Sequence, residues 1–279
     1  MIVKVLPINQ ELRFKELMTK IEMNICPPRA RHTGKNLSAI LTVAALSLFI
    51  FTQAVPNVFA QQKYSKTYPA RKNIRIRLNN LSGPITVEGW QKDQIKISAT
   101  IEAPAARFTP QMSDDGLVID VVRDNQGREV GNINFKIYVP VNSTVDIETR
   151  YGDLSVANIE SSMVRAHISL EGDISLTQIR SKAVMARNVS GDILFDGEIL
   201  GDGVYTFQST AGNINIRIPE NSAFRLLATA PAAGNITLGS FANSGLSFIG
   251  GRKVVGNVGN ASAVLSIMNQ RGNISFIRR

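Results

Sequence analysis

The chain has 279 residues, 44% of them hydrophobic and 19% charged, with a formal net charge of +9 at pH 7. That apolar share supplies a real core and excludes a chain that is disordered throughout. Aromatic residues make up only 6%, so the core must be built from Ile, Val, Leu and Ala, which suits thin layered β structure.

The charge is uneven. Residues 1–35 hold Lys4, Arg13, Lys15, Lys20, Arg29, Arg31 and Lys35 against Glu11, Glu16 and Glu22, and no charge occurs from Asn36 to Gln62. The remaining +5 lies in residues 63–279, a mild bias towards acidic glycans or anionic lipid. No Lys/Arg run is interleaved with aromatics, so nucleic acid is not an expected partner. The single cysteine, Cys26, precedes the apolar segment, and a chain shortened behind that segment has no thiol.

Leu37–Phe51 is an apolar run preceded by Arg29, Arg31 and Lys35 and followed by Val58-Phe59-Ala60. These features predict a signal peptide cleaved after Ala60. The rival is an uncleaved anchor through residues 37–56, interrupted near its end by Gln53 and Pro56. Either reading puts residues 61–279 outside the cytoplasm, in the periplasm, on the surface or in the medium.

Residues 61–148 are expected to hold a linker and a small, largely antiparallel β unit. Its strands are Ile74–Leu78, Ile85–Val87, Ile95–Ile101, Leu117–Val121 and Ile133–Val139, where apolar and polar residues alternate. Such a unit would cap the C-terminal strands, because a bare sheet end invites polymerisation.

Residues 149–279 repeat one motif: Gly, then Asp or Asn, then an apolar-polar-apolar strand. It occurs at Gly152-Asp153, Gly172-Asp173, Gly191-Asp192, Gly212-Asn213, Gly234-Asn235 and Gly272-Asn273, with glycine spacings of 20, 19, 21, 22 and 38. The last spacing is close to two periods. Alternation sends Leu154/Val156, Ile174/Leu176, Ile193/Phe195, Ile214/Ile216, Ile236/Leu238 and Ile274/Phe276 inward. A second strand precedes each glycine, with small inward residues Ala166, Ala186 and Ala228. Gly supplies the positive φ of the turn and Asx bonds the turn backbone. The fold class predicted is all-β: a right-handed parallel β-solenoid with an N-terminal antiparallel β cap, and Arg278-Arg279 guarding its far end.

Ile74–Leu78, Leu81-Ser-Gly-Pro-Ile-Thr-Val-Glu-Gly-Trp90, Phe135-Lys-Ile-Tyr-Val-Pro140, the Gly-Asp-Ile repeats and the Gly-rich stretch Gly250–Gly259 resemble a bacterial family known as the putative adhesins. That family is a β-strand-repeat domain of unknown function, and the resemblance spans residues 73–277. It implies a solenoid fold and an adhesive role, and it carries no catalytic or ligand residue to transfer.

Glycan-cleaving β-helices pair two carboxylates or add a groove histidine. Here Asp114-Asp115 sit in a turn and His167 sits beside Arg165 on a strand, both better read as solvated surface, so no enzyme, cofactor or metal is expected. A calcium ion between the stacked Asp153, Asp173 and Asp192 is the less favoured reading of that column. The candidate ligand surface is a strip of Arg165, His167, Arg187, Tyr205 and Phe207, with the two rings facing outward. It would meet a polysaccharide or an envelope protein, and membrane contact would run only through residues 37–56 if they stay uncleaved. The alternatives are a polysaccharide-active enzyme and a membrane-anchored envelope sensor or scaffold.

Overall fold

A strand with one apolar side cannot hide that side alone, and stacking equivalent strands hides all of them at once. The computed structural model describes residues 61–231 and 235–279. The expected signal segment, Cys26, the cleavage position Ala60 and the repeat glycine Gly234 lie outside the described residues.

The N-terminal strands are β1 (Gln62–Pro69), β2 (Arg75–Asn79), β3 (Ile85–Trp90), β4 (Gln94–Ile101), β5 (Gln111–Met112) and β6 (Gly116–Asp120). A one-turn helix α1 (Val121–Asp124) separates them from β7 (Ile133–Pro140) and β8 (Thr144–Tyr151). The two longest strands come next, β9 (Leu154–Glu171) and β10 (Ile174–Ser190), then β11 (Ile193–Gly197), β12 (Val204–Ala211) and β13 (Ile214–Ile218). The C-terminal set is β14 (Phe224–Thr229), β15 (Ile236–Thr237), β16 (Leu246–Ile249), β17 (Lys253–Val258), β18 (Ala263–Asn269) and β19 (Ile274–Arg278).

These strands form two walls. The first runs β1, β4, β7, β3, β9, β10, β11, β13, β19, β15, and carries the strands that come after each Gly-Asx pair. The second runs β5, β6, β2, β8, β9, β10, β12, β18, β14, β17, β16. β9 and β10 turn the corner between the walls and pair with each other in both. The open sheets contain mostly parallel pairs, as the repeat requires. Antiparallel pairs sit at the edges, at β1–β4–β7, β5–β6 and β14–β17–β16. Among the described residues no helix is long and apolar enough to cross a membrane.

The core lies between the walls. Ile85, Leu154, Ile174, Ile193, Ile214 and Ile274 stack in register along the first wall, as do Val87, Val156, Leu176, Phe195, Ile216 and Phe276. All are buried. Each contributes on the order of 1.5–3 kcal/mol before ordering entropy is set against it. Leu117, Ile76, Val145, Val164, Val184, Tyr205, Leu265 and Leu226 answer them from the second wall. This core belongs to one compact unit, Phe59–Arg279.

Several expectations need correction. Tyr205 and Phe207 do not face out; both are fully buried. In-register pairing lays Tyr205 on Val184 and Phe207 on Ala186, and their rings meet Phe195 at 6.0 and 5.0 Å. The small Ala166 and Ala186 leave the room that these rings fill one coil later. The spacing of 38 is not two further coils: β18 and β19 return to pair with β12 and β13, leaving β14 and β15 outside them. Arg278 and Arg279 therefore end a strand that lies inside the sheet, and Arg279 reaches Asp196 at 3.4 Å.

The N-terminal region, last, is not a largely antiparallel unit beside the coils. β2 and β3 pair in parallel with β8 and β9, and the expected boundary at 148/149 falls inside β8. The interior at this end is closed by Phe108, stacked edge-on between Tyr64 and Phe135, and by Asn125, whose amide bonds the Arg107 and Val121 carbonyls. At the other end Phe241 packs edge-on against Phe224 and Phe276.

The turn column holds the coils in step. Gly152, Gly172, Gly191, Gly212 and Gly272 all have φ between 101° and 148°. A Cβ on Gly191 would overlap the carbonyl oxygen of Gly172, and one on Gly212 that of Gly191. The Asx side chains bond the next coil rather than their own turn. Asp153 Oδ1 accepts from the Asp173 amide at 3.0 Å, and Asp173 Oδ1 from the Asp192 amide at 2.7 Å. Asp192 Oδ1 accepts from Asn213 at 2.7 Å, Asn213 Oδ1 from Asn273 at 3.1 Å, and Asn273 Oδ1 from Asn235 at 3.1 Å.

Gly191→Ala combines a disfavoured φ with a backbone overlap and should cost more than about 3 kcal/mol in a denaturant melt. Ile174→Asp, at a fully enclosed rung, should unfold or aggregate the protein, while Ser175→Asp one residue on should melt within about 1 kcal/mol of the parent. Equal melts for that pair would sink the assigned alternation. The Tyr205 hydroxyl donates to the Ser181 carbonyl at 2.9 Å and accepts from the Leu200 amide at 2.7 Å. Burial raises its pKa, with the Leu200 amide opposing. Its stabilising contribution is thus complete below pH ~10, the value for an unfolded tyrosine, and is lost as pH rises through the raised folded value. Tyr205→Phe should cost about 1 kcal/mol at pH 7 and soften the loss of stability above pH ~10, as read by thermal melts across pH.

Candidate functional site

Strand alternation on the second wall turns Arg77, Asn79, Asp146, Glu148, Arg165, His167 and Arg187 outward, and register brings them into two adjacent rows. Arg77, Asp146 and Arg165 make one row; Asn79, Glu148, His167 and Arg187 make the other. The acids of β8 neutralise the expected basic strip. Arg165 places one guanidinium nitrogen 2.6 Å from Asp146 and another 3.1 Å from Glu148, and Arg77 lies 3.4 Å from Asp146. His167 Nδ1 stands 3.5 Å from Glu148. Partial burial opposes the charge on Arg165, but bonds to Asp146 and Glu148 outweigh it and hold the group above its ordinary pKa. Arg77, Asn79, Asp146, Glu148 and Arg165 line a groove of about 320 Å³. Of the five residues expected to share a surface, Arg165, His167 and Arg187 do so, and Tyr205 and Phe207 lie on the opposite side of the same wall.

An aromatic surface exists elsewhere. On the first wall Trp90 of β3 stacks on Tyr138 of β7 with centroids 5.2 Å apart and planes 22° from parallel. The Trp90 indole nitrogen donates to the Gln94 carbonyl at 2.7 Å, which fixes the ring across the β3–β4 turn. Lys92 lies over the Trp90 ring at 5.0 Å, Lys136 lies over the Tyr138 ring at 5.2 Å, and Lys96 pairs with Tyr138 across β4. Glu88 is the adjoining acid on β3. Both rings are half-buried. Two ammonium groups are thus held on aromatic faces, an arrangement suited to meeting a carboxylate beside a flat apolar surface.

This pair is not singled out by sequence analysis. The signal was available: Tyr138 and Lys136 alternate with buried Phe135, Ile137 and Val139, so they face out together. Their meeting with Trp90 needed the β3–β7 register, which sets Glu88 opposite Tyr138 and Trp90 opposite Pro140, 50 residues on, so that the two rings meet diagonally; it is not visible in either strand alone.

The remaining candidates stand apart from one another. Asp114 and Asp115 are exposed at the β5–β6 turn and line a cleft of about 690 Å³ with Arg71 and Lys72. Asp153, Asp173 and Asp192 each spend one oxygen on a neighbouring amide. Among the described residues no group of three or more His, Cys, Asp or Glu is placed to hold a metal ion.

Comparison with known proteins bears on the fold. A crystal structure of a putative cell adhesion protein from Clostridium sporogenes aligns with a TM-score of 0.50 and 13% identity, covering 79% of this chain and all of that one. A putative lipid binding protein from Parabacteroides distasonis aligns at 0.35 and 10%, covering 77% and 97%, and a putative adhesin from Bacteroides fragilis at 0.32 and 10%, covering 78% and 99%. No curated protein matches. The family model described as Toastrack DUF4097 matches residues 75–276, from the first parallel strand to the last, and the chain belongs to that family.

Proposed function

We propose that the protein is a non-catalytic, extracytoplasmic solenoid with right-handed coils, and that it holds an acidic polysaccharide on its outer surface in the manner of an adhesin. The Trp90–Tyr138 stack with Lys92, Lys96 and Lys136 around it carries this reading. A bare cationic patch would attract any polyanion, whereas half-buried rings add apolar area that suits the flat faces of a sugar chain. The apolar run Leu37–Phe51 and its basic flank support export. The charge cluster around Arg165 is internally satisfied, which suits a structural seam between coils better than a ligand contact.

Residues 61–279 carry the core of the described residues, so the test uses them without the apolar segment. They should be retained on uronate-bearing polysaccharides, and on neutral ones far less, with chain lengths unchanged on sizing afterwards. Trp90→Ala and Lys136→Gln should each weaken retention by about tenfold. Shortened chains would make the protein a polysaccharide-active enzyme instead, and retention unaffected by either substitution would remove the platform from the reading.

A further inference from the structure

Charge is distributed along the stack in a way that the total conceals. Residues 221–279 contain no Asp or Glu and six Lys/Arg: Arg225, Arg252, Lys253, Arg271, Arg278 and Arg279. Residues 61–220 hold 18 Lys/Arg and 19 Asp/Glu, a net of −1. The acid-free segment builds β14 to β19, one end of the stack. Arg279 turns back to Asp196, but Arg225, Arg252, Lys253 and Arg271 are exposed and make no ion pair among the described residues.

The outermost feature of that end is the β16–β17 hairpin. Its loop, Gly250-Gly251-Arg252, joins the paired Ile249 and Lys253 and has φ of 57° and 69° at the two glycines, a conformation that glycine adopts without strain. Phe248 is 55% exposed and Ile249 52%, the most exposed large apolar side chains of the described chain together with Val204. They flank a turn whose other side is Arg252-Lys253. Register puts Phe248 beside Val254 and Ile249 beside Lys253, so the two apolar groups leave opposite faces of the hairpin and form a wedge.

We propose that this hairpin docks the protein on an anionic phospholipid surface. Phe248 and Ile249 enter the boundary between headgroups and acyl chains, and Arg252 and Lys253 meet lipid phosphates, with Arg271 and Arg225 adding attraction at longer range. A second copy is a poor occupant of this end: residues 221–279 of two copies would meet with six Lys/Arg each and no Asp or Glu to offset them. A soluble polyanion would satisfy the cations and leave the wedge in water. The hairpin shares no residue with the polysaccharide platform of Trp90 and Tyr138, so the two surfaces can be tested apart.

The test is co-sedimentation of residues 61–279 with vesicles of phosphatidylcholine alone or with phosphatidylglycerol, each variant first checked by thermal melt. Binding to the anionic vesicles and not to the neutral ones is expected. Phe248→Ser with Ile249→Ser should weaken it by about tenfold or more, and Arg252→Gln or Lys253→Gln by about fivefold each. The double serine variant should keep its retention on polysaccharide, so failure of one proposal leaves the other standing. No binding to anionic vesicles would overturn the inference. Binding that ignores the serine substitutions would overturn it too, leaving a polyanion surface with no insertion.

Discussion

Backbone meets backbone at the glycine corner more closely than any side chain would allow, and the stack depends on it. Gly172, Gly191, Gly212 and Gly272 each sit against the carbonyl of the glycine one coil before. The walls can then pair without interruption from one strand to the next, and the inward rows of Ile, Leu and Phe come into contact. Polar groups near the corner serve the same contact. Asn188 donates to the carbonyls of Gly172 and Gly191, and Asn269 to that of Gly212, so a buried amide settles oxygens that the turn leaves without a ladder partner. The Asx carboxylates and amides bind the outer side of the corner to the next coil.

Much of this was legible in the residues, because a two-residue period and a repeated Gly-Asx pair state the wall and the turn directly. Strands β2, β3, β4, β6 and β7 also stood out by alternation. Gly83-Pro84-Ile85-Thr86-Val87 is a further copy of the motif, hidden because proline replaces Asx; it joins the glycine column, and the Asx bonds begin at Asp153. What could not be read was the order of coils. Nothing within β18 or β19 says that they return to lie beside β12 and β13, because that choice rests on packing at the end of the stack, where Phe241, Phe224 and Phe276 meet.

The candidate sites repeat the lesson at the level of single side chains. Counting five residues back gives Ala186 before Gly191, Phe207 before Gly212 and Ile267 before Gly272, all inside, whereas Gly172 needs six, to Ala166. Counting from the start of each strand instead turned Tyr205 and Phe207 outward. Glycine, as the fixed corner, is the better origin. The charges behaved differently. Arg165 and His167 did face out, but β8 supplies the acids beside them, and in β8 the burial pattern is interrupted by Asp146, buried in its centre.

The interleaved end has a mechanical consequence. β19, the final strand, has β13 on one side and β15 on the other, although β15 was laid down 38 residues earlier. β19 fills the slot between them as a wedge fills an arch. A pull on the C-terminus therefore loads β19 along its length between two neighbours, and the ladder resists as a set of bonds in shear. A strand laid at the outside of the stack would instead peel away one bond at a time.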